Sequence, residues 1–140
     1  MINEIIKISN LQKIYYSSRN QLKILKEINF NVLEGEIISI LGPSGSGKST
    51  FLNILGLLDY QFTGEYFLLS NDTKKLKNND KNILRNKSLG FVHQFFHLIP
   101  ELSVIENVGL PNLIMGNSFV DSLNNSRNIL CNFGLEDRLD

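Results

Sequence analysis

With 140 residues, 42% hydrophobic, 20% charged and 9% aromatic, the chain has globular composition and length for a single hydrophobic core. Fourteen basic residues balance fourteen acidic ones, so there is no bulk positive field of the kind that draws a domain onto nucleic acid or an anionic membrane. Cys131 is the only cysteine, which excludes an internal disulfide and argues against a cysteine-built metal site.

The N-terminus, MINEIIKISN, alternates polar and apolar residues, has no long apolar run and does not read as a signal peptide. Ile6, Ile8 and Leu11 indicate a first strand, with Ile14 and Tyr15 close behind. The polar run SSRNQ (17–21) reads as a hairpin loop. Ile28, Phe30 and Val32 alternate with polar residues as a half-buried strand does. After a turn at Glu34-Gly35, the apolar run IISIL (37–41) predicts a strand covered on both faces, of the sort found in parallel sheets. A helix is expected from Lys48 through FLNILGLL, with Phe51, Leu52, Leu55 and Leu58 on its apolar side. Thr63-Gly64 leads into a strand EYFLL, and Asn71-Asp72 turns the chain out again. The polar stretch 72–87 reads as a loop with a short surface helix over 81–86, and LGFVHQ (89–94) is the next expected strand. Ser103 and Glu106 have the spacing of a capping box. A last helix is expected over 122–133, with Leu123, Ile129, Leu130 and Phe133 apolar and Gly134 as its stop.

Residues 42–50 read GPSGSGKST, and Gly42, Gly47, Lys48 and Ser49 satisfy the spacing of a P-loop. Such a loop needs glycines because backbone N–H groups must turn inward around phosphate oxygens, and a Cβ would obstruct them. The following helix aims its free N–H groups and the positive end of its dipole at the same anion. Gly42, Ser44, Gly45, Ser46, Gly47, Lys48, Ser49 and Thr50 are therefore the expected phosphate-binding residues. Lys48 can reach the β- and γ-phosphates, Ser49 can offer its hydroxyl to Mg²⁺, and Thr50 supports the loop.

From this loop outward, nearly the whole chain resembles the ATP-binding subunits of ABC transporters. That family often has GPSGSGKST after a strand introduced by EGE, as residues 34–36 read here. The resemblance implies an α/β P-loop NTPase fold with an antiparallel β subdomain, binding ATP with Mg²⁺. It implies that Tyr15, with Tyr16 as the fallback, stacks on adenine. Gln94, after LGFVHQ, matches the glutamine that contacts Mg²⁺ or the attacking water and couples the site to membrane subunits. Lys48 and Gln94 would be the catalytic contributors present, and Ser49 and Gln94 the contacts to metal. His93 and His97 are expected to be structural. The segment 94–111, QFFHLIPELSVIENVGLP, is similar to lipoprotein-releasing ATPases, with macrolide-export and cell-division ATPases as close relatives. Phe96, His97, Leu98, Ile99 and Pro100 would lie where a membrane subunit's coupling helix docks.

Residues 1–140 are thus expected to be the N-terminal part of one ATP-binding domain, with a β subdomain and P-loop core over about 1–94 and a helical start over about 94–140. An LSGGQ signature, a Walker B strand with its adjacent glutamate, and a switch histidine are absent from these residues. The resemblance then implies a C-terminal half that is missing here, a parent ATPase that works as a dimer, and permease partners in the inner membrane. Peripheral placement on the cytoplasmic face follows, without nucleic acid as a partner. The alternatives are an export or cell-division ATPase, a repair or translation ATPase of the same superfamily, or an isolated product without catalytic activity.

Overall fold

The computed structural model describes residues 3–17 and 20–139, which form two units, Met1–Leu89 and Gly90–Asp140. In the first unit, β1 (Glu4–Tyr16) and β2 (Gln21–Leu33) make a long antiparallel hairpin. Of the loop expected over 17–21, Ser18 and Arg19 lie outside the described residues, as do Met1 and Ile2 of the N-terminal segment, and Gln21 already belongs to β2. β3 (Thr63–Leu68) pairs on the other side of β1, and the short β4 (Asn71–Asp72) completes a sheet of order β2-β1-β3-β4. Every pairing is antiparallel.

Two features shape this sheet. Asn10 sits at φ 51 where the register shifts against both neighbours, a bulge whose N–H is taken by the Asn29 side chain at 2.9 Å. Opposite it, Gly64 at φ 91 passes so close that a Cβ there would lie 2.7 Å from the Ser9 carbonyl oxygen. Only glycine fits that crossing. The turn after β3 falls one pair earlier than expected. Leu69 and Ser70 occupy its two positive-φ positions, while Asn71 belongs to β4 and donates to the Leu68 and Leu69 carbonyls.

α1 (Lys48–Leu55) packs on the sheet. Phe51 meets Phe30 edge to face at 5.4 Å between centroids, and Ile54 and Leu57 join Ile8, Leu11, Leu25, Tyr66 and Leu68 in the core. The buried side is therefore Phe51 and Ile54, whereas Leu52 and Leu58 are half exposed. The helix stops at Leu55 because Gly56 caps it and Leu57 turns to φ 53. Tyr66 is fully buried, donates to the Leu55 carbonyl at 2.7 Å, and has its phenol pKa raised by that burial. α2 (Asn78–Ser88) is longer than the short helix expected over 81–86. Its Lys81 covers the Tyr60 ring, and its Arg85 donates to the Leu57 carbonyl at 2.8 Å.

Two expected strands are not strands. Residues 37–41 and 89–94 have β-branched, apolar sequences but join no sheet among the described residues. Ile37 is 98% exposed and Val92 fully exposed. Strand propensity is a fit to a pleated, half-buried surface, and neither run has a neighbouring strand to supply one.

In the second unit, α3 (Val104–Ile114) lies against α4 (Phe119–Asn132). The capping box forms as expected. Ser103 Oγ accepts from the Glu106 N–H at 3.4 Å, and Glu106 accepts from the Ser103 N–H and hydroxyl, each at 2.9 Å. Those bonds hold the Glu106 carboxyl below its ordinary pKa. α4 begins earlier than expected, capped by Ser118, and ends in a Schellman motif in which Gly134 at φ 68 donates to Cys131 and Leu135 to Leu130. Of the expected apolar side only Leu130 is buried. The helix packs through Ser122 and Ser126 together with the half-buried Leu123, and Gly109 of α3 is close enough that a Cβ would meet Ser126 Oγ at 3.2 Å and Leu123 Cδ2 at 3.8 Å. No helix among the described residues is long and apolar enough to cross a membrane.

Candidate nucleotide site

The loop 42–50 forms the N-terminal approach to α1, and its glycines adopt the conformations that the motif demands. Gly45 and Gly47 have φ 78 and φ 95, well inside the left-handed region. A Cβ on Gly47 would press on Ile24 Cγ2 and Leu25 Cδ2, each at 3.0 Å, and one on Gly42 would meet Ser46 Oγ at 2.8 Å. The loop is thus seated on β2, through the two residues that face it.

Above that seat lies a cavity of about 230 Å³ lined by Ile24, Ser44, Gly45, Gly47, Lys48, Ser49 and Thr50. Gly47 is the N-cap of α1 and offers no side-chain oxygen to the first-turn N–H groups, and no acidic residue occupies that turn. Bare N–H groups at the positive end of a helix dipole favour an anion. Lys48 Nζ donates to the carbonyls of Gly42 at 2.8 Å and Pro43 at 2.7 Å, so it braces the loop across its mouth. An ammonium has three protons, and the third is left for an acceptor in the cavity. Ser44 and Ser49 are exposed in this lining, and Thr50 is half-buried. Of the predicted phosphate set, Ser44, Gly45, Gly47, Lys48, Ser49 and Thr50 line this cavity, while Gly42 and Ser46 do not.

Tyr15 and Gln94 are placed differently. Tyr15, on β1, is 47% exposed and does not line this cavity, and Tyr16 is more exposed still. Gln94 belongs to the second unit, in an exposed segment without helix or strand. Beside it, His93 stacks on Phe91 at 5.5 Å between centroids, and His97 meets His93 edge-on at 4.6 Å. Phe95, Phe96 and Leu98 are well exposed, and Asn107 ties the segment to α3 by bonding both the N–H and the carbonyl of Ile99.

Sequence reading missed Lys13 and Asp59. Lys13 is 2% exposed, and its ammonium lies 2.7 Å from each Asp59 oxygen and 4.9 Å from the Tyr15 ring centroid. The signal was present: Leu11, Lys13 and Tyr15 are spaced by two on a strand whose Leu11 points into the core.

A P-loop seated on an antiparallel sheet and opening a helix defines the class, and the family description ABC transporter matches residues 25–140. This chain belongs to that family, and its fold is of the ABC ATPase type with an antiparallel sheet. It is 40% identical over 137 residues to the lipoprotein-releasing system ATP-binding protein LolD of Zymomonas mobilis subsp. mobilis (strain ATCC 10988), covering 98% of this chain and 59% of that protein. The LolD of Coxiella burnetii (strain RSA 493) is 44% identical over 112 residues, which is 80% of this chain and 48% of the relative. Among solved structures, the ATP-binding cassette MJ0796, in a dimeric post-hydrolysis state bound to ADP and Pi, superposes with a TM-score of 0.81 at 39% identity. That match covers 96% of this chain and 59% of the cassette. The chain thus spans about half to three-fifths of the length of the relatives it matches.

Proposed function

We propose that this chain binds Mg²⁺-ATP at residues 42–50 and belongs to an ATPase that drives lipoprotein release from the inner membrane. The observation that carries the reading is the glycine loop seated on β2, with an uncapped helix start and Lys48 at its mouth. The backbone N–H groups of 45–50 and the Lys48 ammonium would neutralise the triphosphate, with Ser44 and Ser46 on its flanks. Ser49 would hold Mg²⁺, whose chemistry is to offset charge on the β- and γ-phosphates. Tyr15 would stack on the base. Gln94 would sense the metal or the attacking water, and the exposed segment 95–100 would meet the permease. The ATPase would act as a dimer, bound peripherally at the cytoplasmic face of the membrane by protein contacts. The lipoprotein substrate rests on the similarity to LolD proteins.

Titration calorimetry of the full-length protein with Mg²⁺-ATP tests the first part. Lys48→Ala should weaken binding at least about 10-fold, since a charge-assisted contact to phosphate is lost, while leaving the melting temperature near that of the wild type. Equal affinities would remove Lys48 from the site. The second part is tested by reconstituting the protein with its permease in lipoprotein-loaded vesicles. Release to an acceptor should require ATP, and release that ignores ATP would refute the transport role.

A further inference from the structure

We propose that Lys13, clamped by Asp59, is a positioning residue that holds the Tyr15 ring as a one-sided platform for an aromatic nucleotide base. This rests on the nucleotide reading above and extends it to two residues which that reading leaves unused.

A lysine that is 2% exposed in a strand must have its charge answered, because an isolated buried ammonium is costly. Asp59 answers it with both oxygens at 2.7 Å, and the Gln61 N–H holds the first of those oxygens at 2.9 Å. The carboxylate is thereby fixed by its own chain, just beyond α1, and it fixes the ammonium in turn. From that fixed point Nζ sits over the Tyr15 ring, 4.9 Å from its centroid. A cation at that distance over a ring is attracted to the π face and restricts the ring's rotation. One face of Tyr15 is therefore occupied by the protein, while the side chain as a whole stays 47% exposed. A flat group arriving from solvent has a single face on which to stack.

The placement suits a base whose phosphates lie in the loop cavity. Lys13 pairs in register with Leu25, and Leu25 and Ile24 are the two side chains against which Gly47 is seated. Ile24 also lines the phosphate cavity. The same end of the β1–β2 hairpin thus carries both the seat of the P-loop and the braced aromatic ring. The ligand class this fits is a nucleoside polyphosphate, recognised at the base by stacking and at the other end by the loop.

The test compares Mg²⁺-ATP with Mg²⁺-tripolyphosphate, which has the phosphates but no base, by calorimetry on the full-length protein. The double variant Lys13→Met/Asp59→Leu keeps net charge and replaces the pair with apolar volume. It should lose about 5- to 10-fold in ATP affinity, the scale of a compromised base stack, with tripolyphosphate affinity unchanged. Tyr15→Ala should show a similar loss, and adding it to the double variant should cost little more. Lys13→Arg should restore most of the ATP preference. Should the double variant not fold, Asp59→Asn weakens the clamp and gives the same readout. A retained ATP preference, an equal loss for both ligands, or a loss additive with Tyr15→Ala would each overturn the positioning role. If the wild type binds both ligands equally, the platform fails and the phosphate site stands. If it binds neither, the nucleotide reading fails and the proposal goes with it.

Discussion

The two units are held together by different means. The first closes a core of large apolar side chains far apart in sequence, with Phe30 on Phe51 and with Leu11, Leu57 and Tyr66 in one buried cluster. The second is mostly local: a capping box, a hydroxyl cap, a Schellman stop and an Asn107 latch surround a helix pair that meets at a glycine and two serines. Bulk apolar burial is worth most where side chains are large, whereas close helix approach relies on small residues and on hydrogen bonds that satisfy helix ends. One consequence is that damage to the first unit should be severe and spread through its sheet. Damage to the second should be smaller and graded.

The largest expected effect comes from filling the crossing at Gly64. Its φ of 91 and the approach of Ser9 and Asn10 mean that Gly64→Ala must distort the β1–β3 pairing. A loss of about 3 kcal/mol or more is expected, read as faster hydrogen exchange throughout β1 and β3. Protection that stays at the wild-type level would show that the crossing relaxes freely. In the second unit, Gly109→Leu should push the two helices apart and cost about 1–3 kcal/mol, with faster exchange confined to α3 and α4. Unchanged exchange there would mean that Ser122 and Ser126 do not set the packing. Ser103→Ala removes the cap and should cost about 1 kcal/mol, seen as fraying of the first turn of α3; an intact first turn would show the box to be dispensable.

The mildest effect is one of pH. Glu106 has a folded-state pKa depressed below 4.5 by the Ser103 N–H and hydroxyl. A depressed carboxylate contributes stability that is present in full above the ordinary value and is lost as pH falls through the folded value. The start of α3 should therefore hold steady from neutrality down to about pH 5 and fray below 4.5. Glu106→Gln should flatten that profile, and a variant that still frays with the wild-type pH dependence would place the titrating group elsewhere.

How much of this was legible in the sequence depends on the range of the interaction. The caps at Ser103 and Gly134, the hairpin, and the glycine positions of 42–50 are written in a few adjacent residues, and they appear as expected. The runs 37–41 and 89–94 were read as strands because their composition suits strands, but a ladder needs a second chain segment in register, and here none pairs with them among the described residues. The face of α4 was misread for a related reason. Leu123, Ile129 and Phe133 announced an apolar side, yet Ile129 and Phe133 stay exposed, and Gly109 of α3 is approached by Ser126, Ser122 and Leu123 together.

By itself, the sequence determined the backbone form of the glycine loop. Its glycines can take φ values closed to other residues, and Lys48 and Ser49 follow at P-loop spacing. Only the tertiary structure decided that a lysine in β1 is buried, that Asp59 some forty-six residues later neutralises it, and that its ammonium sits over the Tyr15 ring. A charge in a strand pattern reads as solvent-facing until the fold brings it a partner, because burial without one would cost more than the chain could recover.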